Sequence, residues 1–293
     1  MTTVAQRASF GATLSDLFSL TKPRITLLVA ITAGGGMWLA PTKPSPVTAL
    51  IMLLSTCMIV SGASTLNCYL ERDSDKLMAR TAKRPLPDGR LRPRAALWLG
   101  LGLGILSVPA LTFFANPLTG VLGAIALISY VLVYTPLKPR TPTALLIGAI
   151  PGALPPLMGW TAATGQLDAP GLVLFGILFF WQLPHFIAIS IFRQEEYERA
   201  GLKVLPSTHG LAAAKVYALC YTVFLVATSL LLFPLHVAGT IYLVGASLLG
   251  ALFVVVALRG LREDAHIRWS KQLFFVSLIY LTGLFAVLMI DAA

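Results

Sequence analysis

"PVTALIMLLSTCMIVSGASTLNCYLERDSDKLMARTAKRPLP", residues 46–87, changes character at residue 70. Residues 46–70 carry no charged side chain, whereas 71–87 hold Glu71, Asp73, Asp75 and a run of Lys and Arg. An apolar run of about 20 residues is what crosses the roughly 30 Å hydrocarbon layer of a bilayer. The stretch therefore reads as a membrane-spanning helix that delivers the chain into a charged loop at the membrane surface.

The rest of the chain repeats this pattern. Of 293 residues, 57% are hydrophobic and only 12% are charged, a composition that one ordinary soluble core cannot hide. Apolar runs near residues 17–40, 46–70, 95–115, 117–137, 143–163, 170–192, 212–233, 238–259 and 270–290 predict nine spans. Closed barrels show short alternating segments instead, so the spans are helical. The expectation is an all-α membrane protein with nine transmembrane helices in a single bundle, one integral-membrane domain over 1–293.

With nine spans threaded through the bilayer, every Lys and Arg except Lys43 falls on one side. Excess basic residues mark cytoplasmic loops, so the N-terminus is expected inside and the C-terminus, "LMIDAA", outside. The net charge of +10 reads as this orientation signal plus attraction to anionic lipid, and nucleic acid is not an expected partner. Cys57, Cys68 and Cys220 lie in or beside apolar spans, at spacings that suggest neither a metal site nor a disulfide framework. The first 16 residues hold one Arg and no apolar core before a cleavage site, so the first span is expected to direct insertion. A bacterial inner membrane fits this chain, with the mitochondrial inner membrane as the alternative.

The charged loop carries the chemistry. At 100° per residue, Asn67, Glu71 and Asp75 fall within about 80° on one helix face, and Asp73 points away. Oxygen ligands on one face near the surface suit Mg²⁺, which takes one or two protein carboxylates and fills other positions with substrate phosphate. A solvated helix end with compensating ion pairs is the plainer reading. A second loop repeats the design: "WQLPHFIAISIFRQEEYERAGLKVLP", 181–206, again runs from an apolar span into acids and bases and closes on Leu-Pro, a weak internal repeat. "YTPLKPRTP" adds Lys138 and Arg140, and "TKPRIT" adds Lys22 and Arg24. Acids for a metal with fixed cations around them describe a diphosphate pocket.

These residues resemble the UbiA superfamily of intramembrane prenyltransferases, whose first signature is an Asn followed by acids four and eight residues later, here Asn67, Glu71 and Asp75. "NCYLERDSDKLMARTAKRPLP", "VYTPLKPRTP", "IGAIPGALPPLMGW" and "FWQLPHFIAISIFRQEEYERAGLKVLP" are similar to the branch that farnesylates heme. The resemblance covers roughly residues 20–206. It implies transfer of a farnesyl group from farnesyl diphosphate to a vinyl group of heme b, giving heme O, with Mg²⁺ held by Asn67, Glu71, Asp75 and Glu196. Catalytic roles fall to these four with Lys138 and Arg140. Lys22, Arg24, Arg72, Arg80, Arg84, Lys138, Arg140 and Arg193 are the implied diphosphate cations. Heme-handling or terminal-oxidase assembly proteins are the implied partners. Glu71 and Glu196 each stand where the family has Asp, one carbon–carbon bond longer.

His185 lies deep in a span. If one helix ran from it to Glu196, the two would be separated by about 20° of rotation and roughly 16 Å of rise, so one metal cannot take both. Two readings stand for it: a ligand that holds or orients heme, or a ring hydrogen-bonded to a neighbouring helix or to Gln182. Trp181, Phe186, Tyr130 and Tyr134 are candidate cavity walls, with helix packing the plainer reading. Two rival functions are a UbiA-type enzyme acting on an aromatic quinone precursor, and a non-catalytic heme-binding or transport protein. The acid-poor "WQLPHF" speaks against the first, and charges confined to one surface speak against the second.

Overall fold

The computed structural model describes residues 10–262 and 265–291. Residues 1–9 and 292–293, and with them the expected sides of the two chain ends, lie outside the described residues. Among the described residues the secondary structure is helical throughout.

Eight of the nine expected spans correspond, among the described residues, to helices long and apolar enough to cross a membrane, and several starts are set by local chemistry. α1 (Phe10–Leu20) precedes α2 (Pro23–Leu39), and α3 covers Pro46–Leu70. α4 is Pro93–Phe114 and α5 is Pro117–Ile128; α5 continues through a π-helical turn, Ser129–Tyr134, into a short α6, Thr135–Leu137. α7 (Ala144–Thr164), α8 (Ala169–Phe192), α9 (Gln194–Arg199), α10 (Leu205–Leu230), α11 (Thr240–Arg259) and α12 (Ile267–Asp291) complete the order. Three helices start on one device. Ser45, Asn116 and Asp168 each accept a backbone N–H three residues on, ahead of a Pro in the first turn. The side chain satisfies an orphan donor, and Pro has no N–H to leave unsatisfied there.

Among the described residues eight helices are long and apolar enough to cross a membrane. The first expected span, 17–40, is instead two elements. Lys22 adopts a left-handed backbone (φ 49°) and Pro23 opens a new helix, so α2 has 17 residues, about 25 Å of rise. α10 is kinked at Gly210 (φ 82°, ψ 162°), two residues ahead of the expected seventh span at 212.

Two groups of helices pack side by side. α2, α3, α4, α5 and α7 form one, α8, α10, α11 and α12 the other, and α7 meets α8 along the seam. α2 and α7 touch backbone to backbone, because a Cβ at Gly36 would overlap the Pro156 carbonyl and one at Gly159 the Ala33 carbonyl. Such small-residue contacts replace the hydrophobic drive that lipid removes. In the second group Ser229 of α10 is shared: Tyr242 of α11 donates to its carbonyl at 2.9 Å, and Tyr280 of α12 to its hydroxyl at 2.8 Å. These buried hydroxyls tie three helices at one point.

Candidate functional site

α3 ends at Leu70, so Asn67, Glu71 and Asp75 do not share one helix. They are stacked all the same. Glu71 N donates to Asn67 O at 2.9 Å and Asp75 N to Glu71 O at 2.8 Å, two successive four-residue steps that reach a 3₁₀ turn, Ser74–Leu77. All three line one cavity of about 360 Å³. Asp73 faces away, 71% exposed at its side chain and paired with Lys76, whereas Asp75 is 1% exposed.

Each of these oxygen donors has a cation beside it. Arg84 Nη1 donates to Asp75 Oδ2 at 2.8 Å, and Lys22 Nζ to Asn67 Oδ1 at 3.4 Å. Lys138 Nζ lies 2.8 Å from Glu71 Oε1. That contact is a buried ion pair at charge-assisted hydrogen-bond distance. Burial opposes the charge on Lys138, but Tyr134 and Glu71 together more than offset it and hold the ammonium above the usual lysine range. The same ammonium sits 4.8 Å from the Tyr134 ring centre.

The amide of Asn67 is oriented from behind. Its Nδ2 donates to Thr135 Oγ1 at 3.2 Å, and Thr135 Oγ1 donates to Tyr130 O at 2.8 Å. With the NH₂ end so committed, the carbonyl end is the one presented beside Lys22. The π-helical turn puts Tyr130 and Tyr134 on the cavity wall, a widening that recurs at functional sites. Arg80 and Lys203 complete the cationic wall, and Lys203 N bonds Lys138 O at 3.1 Å, joining two loops. Asn67, Glu71 and Asp75 fit a hard divalent cation: oxygen donors only, two of them carboxylates, all three lining one cavity. Among the described residues no three His, Cys, Asp or Glu side chains gather, and a Mg²⁺ that shares its shell with phosphate needs no such cage.

The sequence profile of the UbiA prenyltransferase family matches residues 27–279. This chain belongs to the UbiA prenyltransferase family. A protoheme IX farnesyltransferase of Myxococcus xanthus is 53% identical over 98% of both chains, and one of Sorangium cellulosum is 51% identical over 90% of this chain and all of the other. Among solved structures, a digeranylgeranylglyceryl phosphate synthase superimposes at TM-score 0.83 with 18% identity, covering 96% of this chain and 98% of that one. A UbiA homolog from Archaeoglobus fulgidus, bound to GPP and Mg²⁺, superimposes at 0.65 with 19% identity, covering 94% and 99%. The fold is that of the family, and the chain is a multi-pass membrane protein.

Other expected site residues of this UbiA prenyltransferase fall elsewhere. Glu196 does not line the cavity with Asp75; it lies on a separate surface hollow near Ala79. Arg193 donates to it at 2.8 Å and holds its carboxyl below the usual range. Arg72 lies over the Tyr69 ring and bonds the Tyr69 carbonyl; Arg140 is exposed and off the cavity. Arg24 lines an adjoining cavity rather than this one.

His185 also sits off the cavity. Phe186 and Ser190 of α8 line it, while His185 Nδ1 is 2.8 Å from Ser277 Oγ of α12 and its ring packs on Trp181 and Phe274. Trp181 likewise bonds Ser277 O, at 2.7 Å, and leaves the cavity to Tyr130, Tyr134 and Phe186. Of the two readings of His185, its geometry supports the ring bonded to a neighbouring helix, with Ser277 and not Gln182 as the partner. The helix-face relation to Glu196 does not carry over, because α8 ends at Phe192 and Arg193 (φ −119°, ψ 19°) breaks the screw before α9.

Proposed function

We propose that this protein farnesylates heme b at a vinyl group, producing heme O, from a bacterial inner membrane with the charged loops on the cytoplasmic side and α2 as a ninth span of one domain. The observation that carries the reading is the single cavity in which Asn67, Glu71 and Asp75 face Lys22, Arg80, Arg84, Lys138 and Lys203, with aromatic rings beside them. The name of the M. xanthus relative supports heme as the acceptor.

Asn67, Glu71 and Asp75 would hold Mg²⁺, which neutralises charge on the diphosphate as it leaves. Lys138 and Arg84, already oriented by Glu71 and Asp75, take phosphate oxygens, and Lys22, Arg80 and Lys203 add charge around them. The allylic C–O bond breaks and its electron pair departs with pyrophosphate. Tyr130, Tyr134 and Phe186 present ring faces to the allylic cation, and the helix walls keep bulk water from it. The vinyl π pair forms the new carbon–carbon bond; water then adds to the carbon left positive and releases its proton to solvent, giving the hydroxyethylfarnesyl group. His185 acts here as a positioning residue, its bond to Ser277 setting the rotation of α8 that turns Phe186 and Ser190 inward.

Membranes carrying the protein, given heme b, farnesyl diphosphate and Mg²⁺, should yield heme O by mass spectrometry. Product from 4-hydroxybenzoate but not from heme would move the assignment to a quinone-precursor enzyme.

A further inference from the structure

Lys22 and Arg84 are walls of two cavities. A second space, about 690 Å³, is bounded by α1, the start of α2 and the loop 83–90; it shares Lys22, Ile25 and Arg84 with the first. Five cations face it, Lys22, Arg24, Lys83, Arg84 and Arg90, against one carboxylate, Asp16. Arg90 is already committed, bonded to Asp16, to Asp88 and to the Lys83 carbonyl, and so is the lone acid. The side chains of Arg24 and Lys83, both exposed, have no hydrogen-bond or ion-pair partner among the described residues. Between the two spaces, Lys22 keeps a left-handed backbone at φ 49°, a conformation that residues with a side chain rarely adopt and that concentrates at functional sites. Orientation in the membrane accounts for basic residues on this side. It does not account for their gathering around a cavity that shares a wall with the reacting one.

We propose that this second cavity is an anion subsite for the carboxylates of the prenyl acceptor, the two propionates of heme b, bound by Arg24 and Lys83. The proposal rests on the reading of the acceptor given above. Heme carries its vinyl groups and its propionates on opposite edges of the macrocycle. Anchoring the acidic edge in the second cavity leaves a vinyl edge to enter the first, where the allylic carbon is generated. The pairing is charge-assisted in both directions, and it separates the duties of the cations: Lys138, Arg84 and Arg80 for diphosphate, Arg24 and Lys83 for the acceptor.

The test uses the full chain in phosphatidylcholine vesicles, wild type and Arg24→Gln/Lys83→Gln, with heme b and its dimethyl ester as acceptors. In the wild type, esterification should raise the acceptor KM by about tenfold or more, the scale of a lost charged hydrogen bond. The double variant should show that raised KM with heme b, and esterification should then add nothing. KM for farnesyl diphosphate and inhibition by pyrophosphate should stay within about twofold throughout, which also reports a folded site. An ester that serves the wild type as well as heme b does would overturn the proposal. So would a double variant that loses equally on both acceptors, or that loses only when phosphatidylglycerol is added, the mark of a lipid-headgroup site. A wild type that turns over neither acceptor removes the assigned reaction, and the subsite with it.

Discussion

Asp75 and Asp73 are two residues apart, bear the same group and occupy opposite environments. Asp75 is buried against Arg84, while Asp73 is solvated beside Lys76. Asp75→Asn and Glu71→Gln should each nearly abolish prenyl transfer, since a carboxylate on a catalytic cation accounts for several kcal/mol of charge stabilisation; Asp73→Asn should leave rates within about twofold. Equal losses at 71, 73 and 75 in the heme O assay would sink the stacked arrangement. Glu196→Gln should be far milder than Glu71→Gln, because Glu196 lies off the cavity. Thr135 tests the support behind Asn67. Thr135→Val should raise the Mg²⁺ concentration for half-maximal rate about tenfold, the usual cost of losing a group that orients a metal ligand, while Thr135→Ser preserves it. Mn²⁺ binding followed by electron paramagnetic resonance in the presence of pyrophosphate should show the same order, and a Val variant that binds like wild type would remove Thr135 from the site. Asn67, Glu71 and Asp75 were readable from spacing alone because backbone bonds keep a four-residue step past the helix end. Thr135 was not, since its partner is 68 positions away and no local pattern marks the pair.

At the scale of elements, α8 shows where helical periodicity helps and where it misleads. Up to Phe192 the period holds: Phe186 and Ser190 share the cavity face and His185 turns to α12. Beyond Arg193 it fails, and Glu196 cannot be placed by counting from His185. The Pro-led starts at 46 and 117 were legible to the residue because cap and Pro are adjacent in the chain. The break at Lys22 was harder to see, although Pro23 signals it, because apolar residues continue on both sides. The α8–α12 contact makes its own prediction. His185→Ala and Ser277→Ala should each lower thermal stability and turnover without selectivity, raising KM for heme and for farnesyl diphosphate alike. Selective loss of heme absorption in purified His185→Ala, with pyrophosphate inhibition intact, would instead make His185 a heme ligand.

For the molecule as a whole, the hydropathy pattern was enough to find the eight long apolar helices among the described residues, because in a bilayer each spanning segment must satisfy its own backbone. Which helices touch was not legible, since lipid-facing and helix-facing residues are equally apolar; Gly36 and Gly159 settle one contact through backbone overlap that only the assembled structure reveals. The sidedness of the charges predicts orientation. In a variant lacking Cys57, Cys68 and Cys220, a Cys placed at Gly89 should resist a membrane-impermeant maleimide in intact cells, and one placed at Gly165 should react. The reverse pattern would invert the topology.

The π-helical turn at Ser129–Tyr134 makes chain length itself a vulnerability. The turn holds one residue more than the α-helical path requires, so loss of a single codon there would leave a fully α-helical and equally apolar span. Insertion and stability would survive, and the helix on either side would keep its phase, but the widened turn that sets Tyr130 and Tyr134 on the cavity wall would be gone. A lineage could thus lose the reaction while keeping every residue named above, and a comparison scored by substitutions would pass over the one gap that mattered.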